Sequence, residues 1–144
     1  MLRGFCTITY WAEDMPAATQ WYAELLGVEP YFVRPVDGPP SYVEFRIGDY
    51  QAELGLLDRR YAPKGAATTP GGVVMNWHVD DIEAAFSRLL SMGATEYQPI
   101  TPMPPPPEPE SGFVIASVID PFGNILGIMY NPHYLEILER TGRA

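Results

Sequence analysis

The chain has 144 residues, 47% of them hydrophobic and 12% aromatic, with 18 acidic against 9 basic side chains and a net charge of -9. That is enough apolar material for one full-sized core, and it excludes a wholly disordered chain. Lys64 is the single lysine and no basic stripe is visible, so neither a nucleic acid nor an anionic membrane is expected as partner. The longest apolar stretch, 113–119, is far short of the roughly 20 residues a bilayer span needs. MLRGFCTITY lacks the basic start and apolar run of a signal peptide, and Cys6 stands alone, so neither a disulfide nor a cysteine-based zinc site can form within the chain. The expected compartment is the cytoplasm.

Residues 5–11, FCTITYW, alternate and are rich in β-branched and aromatic types, a strand signal. A helix follows: Asp14 as N-cap, Pro16 in the first turn, Gly27 as stop, and Ala18, Trp21, Tyr22 and Leu25 on one face. A short strand is expected over 31–34 and a Gly/Pro-rich loop over 36–40. A strand over 42–47 alternates Val43, Phe45 and Ile47 with Tyr42, Glu44 and Arg46. Gly48-Asp49 signals a hairpin, and 51–57 forms the next strand. Residues 59–72 are polar and turn-rich, a linker in which Arg59, Arg60 and Tyr61 are read as solvated, an anion contact being the lesser reading. Strands over 73–79, 95–100, 113–119 and 125–130 then surround a helix that starts at Asp81 and ends at Gly93, and DPFGN (120–124) makes a turn. A helical tail over 132–140 is expected on the outside. TPMPPPPEPES (101–111), with six prolines in eleven residues, reads as an exposed excursion that cannot pair centrally.

The pattern restarts after the linker. Asp14 with Ala17-Ala18 matches Asp81 with Ala84-Ala85, and LGLL (54–57) matches LGIM (126–129). Each half therefore reads strand, helix, three strands, and neither buries its own sheet well. The fold class is α+β: two paired βαβββ modules, one over about 5–58 and one over about 73–131, with curved sheets around a cavity, in a single domain with a tail over 132–144.

WYAELLG, HVDDIEAAFSRLLSMGA and DPFGN, in this order and doubled, resemble the vicinal oxygen chelate superfamily of glyoxalases, extradiol dioxygenases, fosfomycin-resistance enzymes and bleomycin-resistance proteins. The resemblance implies paired modules enclosing a ligand cavity, often a divalent metal, and often a homodimer. It also implies ligand positions on the first and last strands of each module. Here they are Thr7, Gly55, Val74 and Gly127, which supply one hydroxyl between them. The usual metal site is therefore not expected, and no cofactor is assigned.

Strand alternation turns Ile8, Tyr10 and Ala12 towards the helix and Thr7, Thr9 and Trp11 towards the cavity. The same parity selects Gln51, Glu53 and Gly55, then Asn76 and His78, then Gly127 and Met129, with Glu44 from a neighbouring strand, joined by Tyr42 and Arg46. Glycine at 55 and 127 is expected to leave room for a flat or bulky ligand. His78 is read chiefly as a strand-end residue hydrogen-bonded near Asp80 or Asp81; the functional alternatives are a general base or part of a relocated metal site with Glu53 and Glu44. Trp11 could stack on ligand, Glu53 could bind a cation or pair with Arg46, and Cys6 is expected to be buried and inert. Three functions stay open: a metal-independent protein that holds a partly aromatic or cationic small molecule, an enzyme of the same superfamily, and an interaction module with a vestigial cavity.

Overall fold

The computed structural model describes residues 6–103 and 112–143. Its elements follow the chain as β1 (Thr7–Ala12), α1 (Met15–Leu26), β2 (Phe32–Arg34), β3 (Tyr42–Ile47), β4 (Ala52–Asp58), β5 (Met75–His78), α2 (Ile82–Ser91), β6 (Thr95–Met103), β7 (Phe113–Ile119), β8 (Ile125–Tyr130) and α3 (Pro132–Thr141). A single 3₁₀ turn, Arg59–Tyr61, opens the linker. The chain divides into two compact units that meet at 68/69, inside the expected linker.

Each unit holds one open four-stranded mixed sheet. The orders are β1-β4-β3-β2 and β5-β8-β7-β6, the same topology twice, as the internal repeat requires. The first strand of each unit lies parallel to the last, and the remaining pairs are antiparallel. The helices start as the sequence dictates: Asp14 accepts from the N–H of Ala17 at 3.0 Å, and Asp81 from that of Ala84 at 2.9 Å. Gly27 closes α1 in the left-handed region at φ 68°, where glycine carries no Cβ penalty. Asp120 organises the second turn, accepting from the N–H groups of Phe122 and Asn124 and from the Asn124 side chain.

The core of the first unit is the strand face that α1 covers: Tyr10, Ala12, Val43, Phe45, Leu54 and Leu56 are buried with Met15, Ala18 and Tyr22 of the helix. The Tyr10 and Tyr22 rings lie 5.9 Å apart. In the second unit Ala116, Val118, Leu126 and Ile128 are buried with Phe86 and Leu89 of α2. No helix among the described residues is long and apolar enough to cross a membrane.

Several boundaries and placements differ from expectation. β5 is shorter than 73–79, and Val73 is 88% exposed. β6 runs on to Met103, through Pro99 and Pro102, because it is an edge strand with two breaks in register, where a missing N–H costs nothing. The remainder of the proline-rich segment, 104–111, lies outside the described residues. Gln51 is not in β4: it sits in the turn at φ 53°, its side-chain amide donating to the Gly48 carbonyl at 3.2 Å. Cys6 is exposed rather than buried; strand parity does not bury a side chain that lies before the first paired residue. The Arg59–Arg60 pair has internal partners. Arg60 forks onto Asp58 with contacts of 2.7 to 3.0 Å, and Arg59 lies 4.0 Å from Glu13.

Candidate functional site

β-strand alternation leaves one face of each sheet turned away from its helix. In the first unit the strand registers order that face into rows. Thr7, Glu53 and Arg46 form one; Thr9, Gly55, Glu44 and Phe32 the next; Trp11, Leu57, Tyr42 and Arg34 the third. Thr7, Thr9, Trp11, Glu44, Glu53 and Gly55 therefore share one face.

These rows carry a joined polar network. Both oxygens of Glu44 accept from phenols: Oε2 from Tyr31 at 2.6 Å and Oε1 from Tyr42 at 2.5 Å. Glu53 accepts from the Thr7 hydroxyl at 2.7 Å and pairs with Arg46 at 2.8 Å. The Arg46 guanidinium also lies over the Tyr31 ring, 4.6 Å from its centroid, and so ties the two carboxylates together. Arg34 lies over Phe32 in the same way, at 4.6 Å.

The electrostatics follow from these contacts. The hydrogen bond to Glu44 pushes the Tyr31 phenol up to about 12, because a phenolate there would face a carboxylate. Tyr42 is pushed up further, by burial first and then by Glu44. The Thr7 hydroxyl, with Arg46 adding to it, holds Glu53 below its ordinary carboxylate value against an opposing desolvation cost. The face thus keeps a charged carboxylate and two protonated phenols around neutral pH.

Gly55 does not leave the space expected of it. A Cβ built there would lie 2.9 Å from the Tyr42 hydroxyl and 3.0 Å from its ring, so the tyrosine already fills that volume. Gly127 is filled in its own way. A Cβ there would meet the side chains of Asn76 and Val74 and, at 2.9 Å, the Met75 carbonyl oxygen. The expectation of two vacant glycine positions is corrected in both units: the missing side chain is replaced by a neighbour's.

In the second unit Asn76, Gly127, Ser117 and Gln98 form one row, and His78, Met129, Ile115 and Thr101 the next. Asn76 is exposed and Ser117 is buried, its hydroxyl without a hydrogen-bond partner. The His78 side chain is 10% exposed. Its Nδ1 accepts from the N–H of Asn131 at 3.2 Å, and its ring stacks on Tyr134 with centroids 4.7 Å apart. Nε2 lies 3.4 Å from Asp80 Oδ1, within ion-pair range but without hydrogen-bond alignment. His78 is hydrogen-bonded at the strand end, but to the Asn131 N–H rather than to Asp80 or Asp81 as expected, and this bond occupies its Nδ1 lone pair.

The four positions that family resemblance marks for metal ligands do not fit a divalent ion. Thr7 has given its hydroxyl to Glu53, and Gly55, Val74 and Gly127 have no donor side chain. Among the described residues no three His, Cys, Asp or Glu side chains gather closely enough to hold an ion elsewhere.

Sequence reasoning missed Tyr31, read only as the start of a strand, and left Tyr42 and Arg46 as auxiliaries. The signal lay in the pairing: β2 against β3 sets Phe32 opposite Glu44, which brings the preceding tyrosine to the same carboxylate.

A family profile described as the Glyoxalase/Bleomycin resistance protein/Dioxygenase superfamily matches residues 4–128. Among solved structures, the chain is similar to a member of that superfamily from Sphaerobacter thermophilus, with 23% identity, TM-score 0.68, and 90% and 98% of the two chains covered. A glyoxalase-related enzyme from Fulvimarina pelagi gives 21% identity and TM-score 0.68 over 91% and 90%. A lactoylglutathione lyase from Agrobacterium tumefaciens gives 17% and 0.66 over 93% and 98%. No protein of curated function matches by sequence.

Proposed function

Because the chain belongs to the glyoxalase/bleomycin resistance protein/dioxygenase superfamily, we propose that it is a small-molecule binding protein that works without the usual metal site and holds a partly aromatic or cationic ligand. The carrying observation is the Glu44 centre on the open face of the first sheet. A carboxylate has about four lone-pair positions, and two phenols take two of them, so acceptor capacity remains for a ligand cation. Rings of Tyr31 and Phe32 already accept guanidinium groups on their faces, which is the chemistry such a ligand would meet. The net charge of -9 favours cations on approach. Thr9, Trp11, Glu53 and Gly55 belong to the same face, while Asn76, Gly127 and Met129 supply the open face of the second unit. The protein is expected to act as a homodimer in the cytoplasm; light scattering tests the first point.

Calorimetric titration with benzamidine, a planar aromatic cation, tests the reading. Binding is expected, weaker by roughly tenfold with neutral benzamide and by a similar factor in Glu44→Gln, as loss of a charge-assisted contact implies. Equal binding of the cation and its neutral analogue would sink it. Elemental analysis after exposure to manganese, iron, nickel and zinc is expected to find no tightly held metal; one equivalent per chain would overturn the metal-independent reading.

A further inference from the structure

α3, which the sequence places on the outside, makes contact through its first turn with the second sheet. It begins over the open face of the second sheet. His78 and Ile115 lie in one row across that face, and Phe113 follows two residues from Ile115 on the same side. Tyr134 stacks on His78, and the His133 ring meets Phe113 edge-on with centroids 5.0 Å apart. Pro132 sits so close to Gly112 that a Cβ there would lie 3.2 Å from its ring.

A continuous chain of hydrogen bonds fastens this first turn. The Asn131 N–H donates to His78 Nδ1, and the Asn131 side-chain oxygen accepts from the N–H groups of His133 and Tyr134 at 3.0 and 3.3 Å. The residue that caps the helix is thus itself held by an imidazole lone pair.

We propose that the first turn of α3 is a pH-gated lid over the open face of the second sheet, fastened by neutral His78. A neutral imidazole protonated on Nε2 presents a lone pair at Nδ1. An imidazolium presents N–H at both positions, so Nδ1–H would face the Asn131 N–H and the bond would be replaced by repulsion. Three elements face the ring: the turn before α2 with Asp80, β8 with the Tyr130 ring at 5.8 Å, and α3 with Tyr134. Phenols stay neutral where histidine titrates. Asp80 favours the charged ring, but its side chain is 94% exposed and its pull is screened by water. The fastening is therefore present when the ring is neutral and lost when the ring is protonated. Leu138, further along α3, is buried. Opening the first turn would uncover the His78 row.

Hydrogen exchange of the full chain at pH 7.5 and 5.5, corrected for the intrinsic pH dependence of exchange, tests the lid. Peptides across 131–141 are followed against 42–58 as reference, alongside an NMR titration of the His78 ring. Protection of the α3 peptides is expected to fall roughly two- to tenfold at the lower pH, the scale of one lost hydrogen bond, while the reference stays constant. His78→Asn places an oxygen acceptor near Nδ1 and cannot titrate, so its α3 protection should not depend on pH. The proposal is overturned if the ring protonates while α3 protection holds, if the ring stays neutral throughout, or if His78→Asn keeps the wild-type pH dependence. Should that variant not fold, the wild type decides alone: loss of protection must share its midpoint with the ring titration, and a mismatch overturns the lid.

Discussion

The two sheets share strand order, helix caps and a glycine at the same place in the last strand, yet their open faces have become chemically different. In the first unit the glycine is roofed by a tyrosine tied to a carboxylate, and the rows around it form one charged network. In the second it is roofed by an asparagine, and the neighbouring row ends in a histidine engaged by the C-terminal helix. A duplicated backbone needs only its turns, caps and buried face to persist. The face turned away from the helix carries few of those obligations and is free to diverge.

Substituting the two glycines should cost the most stability, and unequally, because their roofs differ. Gly127→Ala drives a methyl into the Met75 carbonyl oxygen, a backbone atom that cannot swing aside, and should cost about 3 kcal/mol. Gly55→Ala meets only the end of a side chain, so about 1 kcal/mol is expected. The melting temperature should fall by very roughly 3 °C per kcal/mol for a chain of this size. Equal losses at both sites would mean that the roofs are equivalent and the contrast is wrong.

Next comes Glu44→Gln, which removes the hydrogen-bonded charge that raises Tyr31 and adds to the effect of burial on Tyr42. Tyr31 and Tyr42 should then ionise at lower pH, Tyr31 moving down from about 12 towards the ordinary tyrosine value; an ultraviolet pH titration reads this directly. An unchanged curve would remove Glu44 from the centre of the network.

The smallest effect is expected for Thr7→Val. Glu53 is depressed in the folded state, so it adds stability above the ordinary carboxylate range and loses it as pH falls through the lowered value. Without the Thr7 hydroxyl that depression shrinks. The decline of stability with acid should become shallower, and chemical denaturation at several pH values between neutral and 3 would reveal it. A slope identical to wild type would show that the Thr7 hydroxyl does not set the Glu53 environment.

Much of the fold was legible because it rests on local rules. Asp14 and Asp81 announce helices, Gly27 ends one, and strict alternation in 42–47 assigns the buried face without ambiguity. Strand parity likewise gathered Thr7, Glu44 and Glu53 on one face. What it could not supply is the direction of long side chains. Nothing in the spacing tells that Tyr42 leans across β4 to cover Gly55, or that Tyr31, ahead of its strand, reaches Glu44. Gln51 has the right parity for the face but falls in a turn whose geometry overrides it. The seat of α3 was hidden for a similar reason: its amphipathic pattern announces that one side is buried, not which surface receives it.

The parallel pairing of the first and last strands has a consequence for how the chain acquires its shape. Thr7 finds its partner Glu53 46 residues later, and Glu53 lies within the β3–β4 hairpin, which can form from neighbouring residues. A ribosome releasing this chain exposes β1 with an unpaired edge until β4 has emerged, and exposes β5 in the same way until β8 follows. Each unit must therefore close a long loop before its sheet is whole, a slow step compared with forming a hairpin. The α1 and α2 helices, which lie within those loops and need only local contacts to start, are the elements that can shelter the waiting strands.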